Sequence, residues 1–226
     1  MKGVRAVLFD AGGTLIHVDG ERVSRAAGVP YEAATFRRAE ADAVATIRRF
    51  VLERPESRDS ERVPLYFHEL VGGLGLTGAE ERRAATGRIA EEHRRANLWS
   101  LRADGAAETL GTLRDRGYRI AVISNADGRV RGLLEEAGLS PYLEFVVDSA
   151  EVGLEKPDPR IFHAATGRLD LPPRACAYVG DIYEIDVLGA ERAGLSAVLV
   201  GDGPAPDTVV RVQGLAGLLP LFPGLA

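Results

Sequence analysis

Lysine is almost missing from this chain. Its 226 residues hold two, Lys2 and Lys156, against 26 arginines. Positive charge is therefore supplied by arginine in general. Lys156 stands out as a place where a compact, point-like ammonium is wanted instead of a guanidinium fork. Cysteine is scarcer still, with Cys176 alone. One cysteine excludes an internal disulfide framework and fits a reducing, cytoplasmic setting. No run of about eighteen apolar residues occurs, which argues against a membrane-spanning helix. The opening MKGVRAVLFD carries charge without a separate apolar stretch and a small-residue cleavage site, so it does not read as a signal peptide. The net charge of −5 lacks the basic excess that a nucleic-acid surface needs. With 46% hydrophobic residues, the chain has enough apolar material for one large domain or two modest ones.

The pattern of what is present changes along the chain. VRAVLFD, residues 4–10, reads as a buried strand. Residues 18–98 read as about four helices. Examples are 31–53 and 80–99, with Pro55, Pro64 and the GGLGLTG stretch at 72–78 as punctuation. From Ala106 onward strands and helices alternate: helix 106–117, strand 118–125, helix 128–138, strand 143–149, helix 158–169, strand 175–181, helix 183–194, strand 196–202, then a short strand and a final helix. Such alternation implies an α/β fold with a Rossmann-like, doubly wound parallel sheet. The expected division is a core of residues 1–16 and 100–226, with 17–99 inserted as a helical, four-helix-bundle-like cap. An insert directly after the first strand has the position of a lid.

Four strand tips or loops carry polar chemistry. Asp10 ends the first strand. Ser124 and Asn125 end the second. Lys156 precedes a proline-rich helix start, and Asp181 ends a later strand with Asp186 five residues on. Parallel strands present these tips at one sheet edge, where ligands of open α/β sheets bind. Clustered carboxylates need a cation among them. Magnesium takes oxygen ligands, often one or two carboxylates with water and substrate phosphate. Asp10 and Asp181 supply such carboxylates, Lys156 a fixed positive charge, and Ser124 a donor for phosphate oxygens. A carboxylate nucleophile would form an aspartyl phosphate that water then hydrolyses.

DAGGTL (10–15), SN (124–125), EKPDPRIF (155–162) and GDIYEID (180–186) stand in the order and rough spacing of the four motifs of the haloacid dehalogenase (HAD) superfamily. The chain resembles its subfamily IA, the one with a helical cap, most of whose members are magnesium-dependent phosphatases. The resemblance implies Asp10 as nucleophile and metal ligand, Ser124 and Asn125 as phosphate binders, and Lys156 as the neutralising cation. Asp181 would bind Mg2+, Asp186 would support the metal shell or orient Lys156, and the Gly12 carbonyl would complete the site. The implied activity is hydrolysis of a small phosphorylated metabolite, with no nucleic-acid or membrane partner.

One position departs from that pattern. The family's phosphatases carry a second aspartate where this chain has Gly12, and that aspartate protonates the leaving oxygen. General acid–base catalysis is worth about 10²–10⁴-fold. Three readings follow. The substrate has a good leaving group, or His17, Asp19 or Glu21 supplies the proton, or the protein binds metal and phosphate with little turnover. The superfamily's dehalogenases attack carbon and do not call for the Asp181–Asp186 pair, which weighs against that activity. Its phosphonatases need a cap lysine, and residues 17–99 contain none. Cys176, His68, His93 and His163 read as packing or surface residues. Glu184 reads as structural or solvated, and Trp99 as a contact near the junction of cap and core.

Overall fold

A computed structural model describes residues 1 and 3–225. The chain forms two compact units, Met1–His17 with Leu101–Ala226, and Val18–Ser100. Among the described residues no helix is long and apolar enough to cross a membrane.

The first unit is built on a six-stranded sheet. Its strands are β1 (Ala6–Phe9), β4 (Arg119–Ser124), β5 (Phe145–Asp148), β6 (Cys176–Gly180), β7 (Ser196–Val200) and β8 (Arg211–Val212). The order is β5-β4-β1-β6-β7-β8, with every pair parallel. Two further strands, β2 (Ile16–Val18) and β3 (Trp99–Arg102), pair with each other and carry the chain from one unit to the other. Helices α5 (Ala106–Asp115), α6 (Val130–Glu136), α7 (Ser149–Val152), α8 (Pro159–Arg168) and α9 (Leu188–Arg192) link the strands.

β1 lies in the middle of the sheet and all four of its residues are fully buried. That explains its unbroken apolar run, since a parallel strand is covered on both faces. One core face gathers Ala6 and Leu8 with Ile123, Val147, Ile161, Phe162, Tyr178 and Leu199. The chain leaves β1 toward β4 on one side and toward β6 on the other. β1 therefore flanks the point where the strand order reverses, which is where such sheets take ligands.

The second unit is helical: α1 (Gly20–Ala27), α2 (Ala33–Glu53), α3 (Asp59–Gly73) and α4 (Ala79–Arg95). Phe36, Ala39, Ala43, Ile47 and Val51 give α2 one buried stripe at helical spacing. Tyr66, Phe67, Leu70 and Val71 do the same for α3. Tyr66, Phe67, His93 and Trp99 form a ring cluster with centroids 5.2–6.0 Å apart.

Four local expectations are corrected. Pro64 does not break the insert but sits inside α3, near enough its start to remove only one early hydrogen bond. The helix expected over 80–99 stops at Arg95. There His93 Nδ1 accepts the Leu98 N–H and Asn97 Oδ1 accepts the Trp99 N–H, turning the chain into β3. The helix expected over 183–194 opens as a π-helical turn, Tyr183–Val187, before α9. The expected final helix is only a 3-10 turn, Leu215–Leu218, among Gly214, Gly217 and Pro220, all poor helix residues.

Gly180, the last residue of β6, has no room for a side chain. A Cβ there would lie 2.4 Å from Asp186 Cγ and 2.5 Å from its Cβ. Gly180→Ala is expected to lower stability by about 1–3 kcal/mol, the usual cost of overpacking. Urea unfolding measures it, and an unchanged midpoint would contradict the packing described.

Candidate active site

Asp10 follows β1 directly, and its N–H donates to the Val179 carbonyl at 2.8 Å, one last ladder bond to β6. The chain then reverses. The N–H groups of Thr14, Leu15 and Ile16 all donate to the Ala11 carbonyl at 2.8–3.3 Å. Such tight winding requires Gly13 at φ +83°, a left-handed conformation suited to glycine. A Cβ on Gly13 would also fall 2.3 Å from Asp181 Oδ2. The small residues after Asp10 thus leave space for a carboxylate from the next strand tip.

Lys156 is 2% exposed and reaches into the same region. Its Nζ donates to Asp10 Oδ1 at 2.6 Å, Asp186 Oδ1 at 2.8 Å and the Tyr178 hydroxyl at 2.8 Å. Its backbone is clamped as well. The Lys156 N–H donates to Asn125 Oδ1 at 2.8 Å, and Asn125 Nδ2 donates to the Lys156 carbonyl at 3.0 Å. Asp186 receives the Ile182 N–H on its second oxygen at 2.9 Å. The wide π-helical turn brings Asp186 back toward the sheet, and π turns are frequent at functional sites.

Asp181 accepts a long hydrogen bond from Thr14 Oγ1 at 3.5 Å. Oxygens of Asp10, Asp181 and Asp186 all lie within 4.8 Å of one another. Three carboxylates stand against one ammonium, and the imbalance shows in the acidities of Asp10 and Asp181. Burial raises Asp10 to about 6. Lys156 opposes that rise and Asp186 adds to it. Burial, then Asp186 and Asp10, push Asp181 well above the carboxylate range. Burial pulls the Lys156 ammonium toward neutrality, but Asp10 and Asp186 more than offset it and hold it protonated. With all three acids ionised, the cluster keeps two uncompensated negative charges. A buried oxygen-lined site of that charge suits a divalent cation.

The structure therefore brings Asp10, Lys156, Asp181 and Asp186 together. Ser124 ends β4 beside them in the strand order, buried, its hydroxyl only loosely engaged with the Asn125 carbonyl at 3.4 Å. Asn125 was expected to meet phosphate. Both ends of its side-chain amide bond the Lys156 backbone. Gly12 is half-buried and bridges to Ile16. His17 is exposed on β2 between buried neighbours, Asp19 caps α1 through the Arg22 N–H, and Glu21 lies in the first turn of α1. Cys176 is buried in β6, and burial raises its thiol to about 11, so it remains a protonated core residue. His163 Nε2 sits 3.0 Å from the Ala193 carbonyl, a packing role.

Two functional neighbours are absent from the sequence reading, Tyr178 and Thr14. Tyr178 donates to the Ile123 carbonyl at 2.9 Å while accepting from Lys156, and its ring packs edge-on to Phe162 with centroids 4.9 Å apart. The available signal was a tyrosine within the buried strand ACAYVGD, because a buried phenol needs a polar partner.

The haloacid dehalogenase-like hydrolase family profile matches residues 4–194. A bovine relative, "Haloacid dehalogenase-like hydrolase domain-containing protein 3", is 38% identical over 135 residues, covering 57% of this chain and 53% of that protein. "Glyceraldehyde 3-phosphate phosphatase" of Methanothermobacter thermautotrophicus is 42% identical over 93 residues, 41% of each. The chain thus spans about half, or less, of the length of these relatives. A solved structure described as a dehalogenase with an intermediate complex superposes with a TM-score of 0.70 at 24% identity, covering 99% of both chains. At that identity the likeness is one of fold.

Removing the buried ammonium leaves carboxylates unpaired. Lys156→Met is expected to cost about 3–5 kcal/mol at pH 7.5. The cost shrinks toward pH 5. Asp10 already titrates near 6 with the lysine present and rises further without it, so lowering the pH neutralises the unpaired acid. Chemical denaturation at both pH values checks this, and an equal cost at both would contradict it. Tyr178→Phe deletes one acceptor of Lys156 and one donor to Ile123, with an expected loss of about 1.5–3 kcal/mol by the same assay.

Proposed function

This chain belongs to the haloacid dehalogenase-like hydrolase family, and we propose that within it the chain is a magnesium-dependent phosphatase of small phosphorylated molecules. The observation that carries this reading is the Lys156 ammonium held between Asp10 and Asp186 beside Asp181, at the edge of a parallel sheet. A relative named as a phosphatase supports it.

Asp10 is the proposed nucleophile. Its Oδ1 is fixed by Lys156 at 2.6 Å, which favours the ionised form needed for attack. Ser124 would donate to phosphate oxygens as their charge grows. Lys156 would reduce repulsion between the carboxylate and an anionic substrate. Asn125 and Tyr178 hold that lysine in place, from the backbone side and from the ammonium side respectively.

Asp10, Asp181 and the Gly12 carbonyl are the residues we assign to a magnesium ion, with Asp186 supporting them. The acidic cluster, with the Asp181 carboxylate seated against Gly13, fits such an ion. When bound, the ion would screen the carboxylates and draw electron density from the phosphoryl group. We assign the helical residues 17–99 the role of a substrate-selecting cap, and residues 1–16 with 100–226 that of the catalytic core.

Inorganic phosphate release in the presence of Mg2+ tests the reading. The wild-type chain should release phosphate, while Asp10→Asn and an EDTA-treated sample should fall to background. Release that survives Asp10→Asn would contradict the assignment. Saturable phosphate binding with no turnover would favour a binding protein instead.

A further inference from the structure

We propose that His93 is a proton-sensitive latch on the turn 96–100, by which the chain leaves the helical unit. Neutral, its ring holds the turn; protonated, it lets the turn go. All of its parts lie in the helical unit, so the latch stands or falls apart from the phosphatase reading. After Arg95 the chain turns sharply from α4 into β3. Leu98, in the middle of that turn, is fully buried, so its N–H needs an acceptor inside the protein. The acceptor is His93 Nδ1, at 3.2 Å. The lone pair that accepts is the one a proton would take. In the neutral ring the hydrogen therefore sits on Nε2. The ring is half-buried, within reach of protons from solvent.

The rest of the turn is held by groups that keep their charge. Arg22 of α1 donates to the Ala96 carbonyl at 2.8 Å and the Asn97 carbonyl at 3.0 Å, and it pairs with Glu92 at 2.9 Å. The Arg22 bond, aided by the charges of Arg95 and Arg25, holds the Glu92 carboxyl below the usual carboxylate range. The Asp19 N–H donates to the Leu98 carbonyl at 2.7 Å, while its carboxylate caps α1. On α4 itself Arg94 pairs with Glu91, and Glu69 of α3 pairs with Arg82. From α3 the rings of Phe67 and Tyr66 also pack on the His93–Trp99 pair. The Tyr66 hydroxyl donates to Glu40 of α2 at 3.1 Å, and burial raises the Glu40 carboxyl. Glu40 is thus a carboxyl near the cluster that a pH change also reaches, and the experiment separates it from His93.

A proton on Nδ1 sets two donors against each other, and the buried Leu98 N–H loses its acceptor. Stranding a buried donor shifts a local equilibrium by roughly tenfold or more. The charged ring has an alternative attraction, since cations are drawn to aromatic faces within about 6 Å. The Phe67 and Trp99 centroids lie 6.0 and 5.6 Å from that of His93. The bonds from Arg22 and from the Asp19 N–H do not involve the imidazole, so the change is a local release of Leu98 and Trp99 within a folded unit. The contribution of the Leu98–His93 bond is present while the ring is neutral and is lost as the pH falls through its titration. Trp99 opens β3, so uptake of the proton frees the start of a strand that joins the two units.

With four histidines and one tryptophan in the whole chain, the latch can be read directly. Heteronuclear NMR of the imidazole rings gives the His93 tautomer and follows its ionisation from about pH 8 to about pH 5, the range in which histidine changes charge. Amide hydrogen exchange gives the Leu98 protection factor, and Trp99 emission reports on the ring cluster. His93 should be the Nε2–H tautomer at the alkaline end. Leu98 protection should fall by roughly tenfold or more, and Trp99 emission should change, both with the midpoint of His93 ionisation. His93→Gln, whose amide oxygen accepts a hydrogen bond without titrating, should lose both changes, and Glu40→Gln should keep them. If His93→Gln does not fold, the agreement of midpoints in wild type and in Glu40→Gln decides alone. An Nδ1–H tautomer at the alkaline end would overturn the latch. So would a ring that stays neutral until the chain unfolds, His93 ionisation that leaves Leu98 and Trp99 unmoved, or changes that vanish in Glu40→Gln.

Discussion

The Lys156 ammonium is the interaction on which the site's arrangement depends. A fully buried ammonium is costly unless every donor finds a partner. Here the three partners come from three parts of the chain: Asp10 after β1, Tyr178 within β6, and Asp186 in the turn after β6. The ammonium thereby ties two neighbouring strands and a loop to one point. It also places like-charged acids within reach of one another, which burial alone would oppose. Such a cluster is tolerable with the lysine in place, and its remaining negative charge is what makes it suited to a cation.

The sheet supplies the positions and the small residues supply the room. β1 and β6 are parallel neighbours in register, Phe9 opposite Val179, so Asp10 and Asp181 emerge side by side. Gly13 and Gly180 keep the volume next to those acids free, one for Asp181 and one for Asp186. The π-helical turn widens the path from Asp181 to Asp186, so that the second acid folds back onto Lys156. Asn125, at the end of β4, fixes the backbone of the loop that carries the lysine. Four strand tips or loops thus meet around one ammonium, each held by ordinary backbone or side-chain hydrogen bonds.

Much of this was legible in the sequence because it depends on period and order. The apolar runs ending in Asp10 and Asp181, and the alternation after Ala106, imply a parallel sheet with acids at one edge. The scarcity of lysine singled out Lys156. Asn125 illustrates what pattern does not carry: its residue type suits phosphate, but its amide is satisfied by a backbone more than thirty positions away. Tyr178 was hidden for the opposite reason, since within an apolar strand a tyrosine reads as core until its hydroxyl partner is known. β2 and β3 are short and pair only across the inserted helices, so local propensity gives them little weight. The π-helical turn has the composition of an ordinary helix, and the Asp186 bonds to Lys156 and the Ile182 N–H are what distinguish it.

The most direct test of a cluster built for a divalent cation is calorimetric titration of Mg2+ at pH 6 in buffers of different ionisation enthalpy. Asp10 titrates near 6, and Asp181 lies well above the carboxylate range. Binding that ionises these acids should therefore release protons, with release diminishing as the pH rises. Saturable one-site binding with that proton release, lost in Asp181→Asn, is the predicted result. Absence of binding, or binding with no proton release at pH 6, would contradict the placement of a cation among these acids.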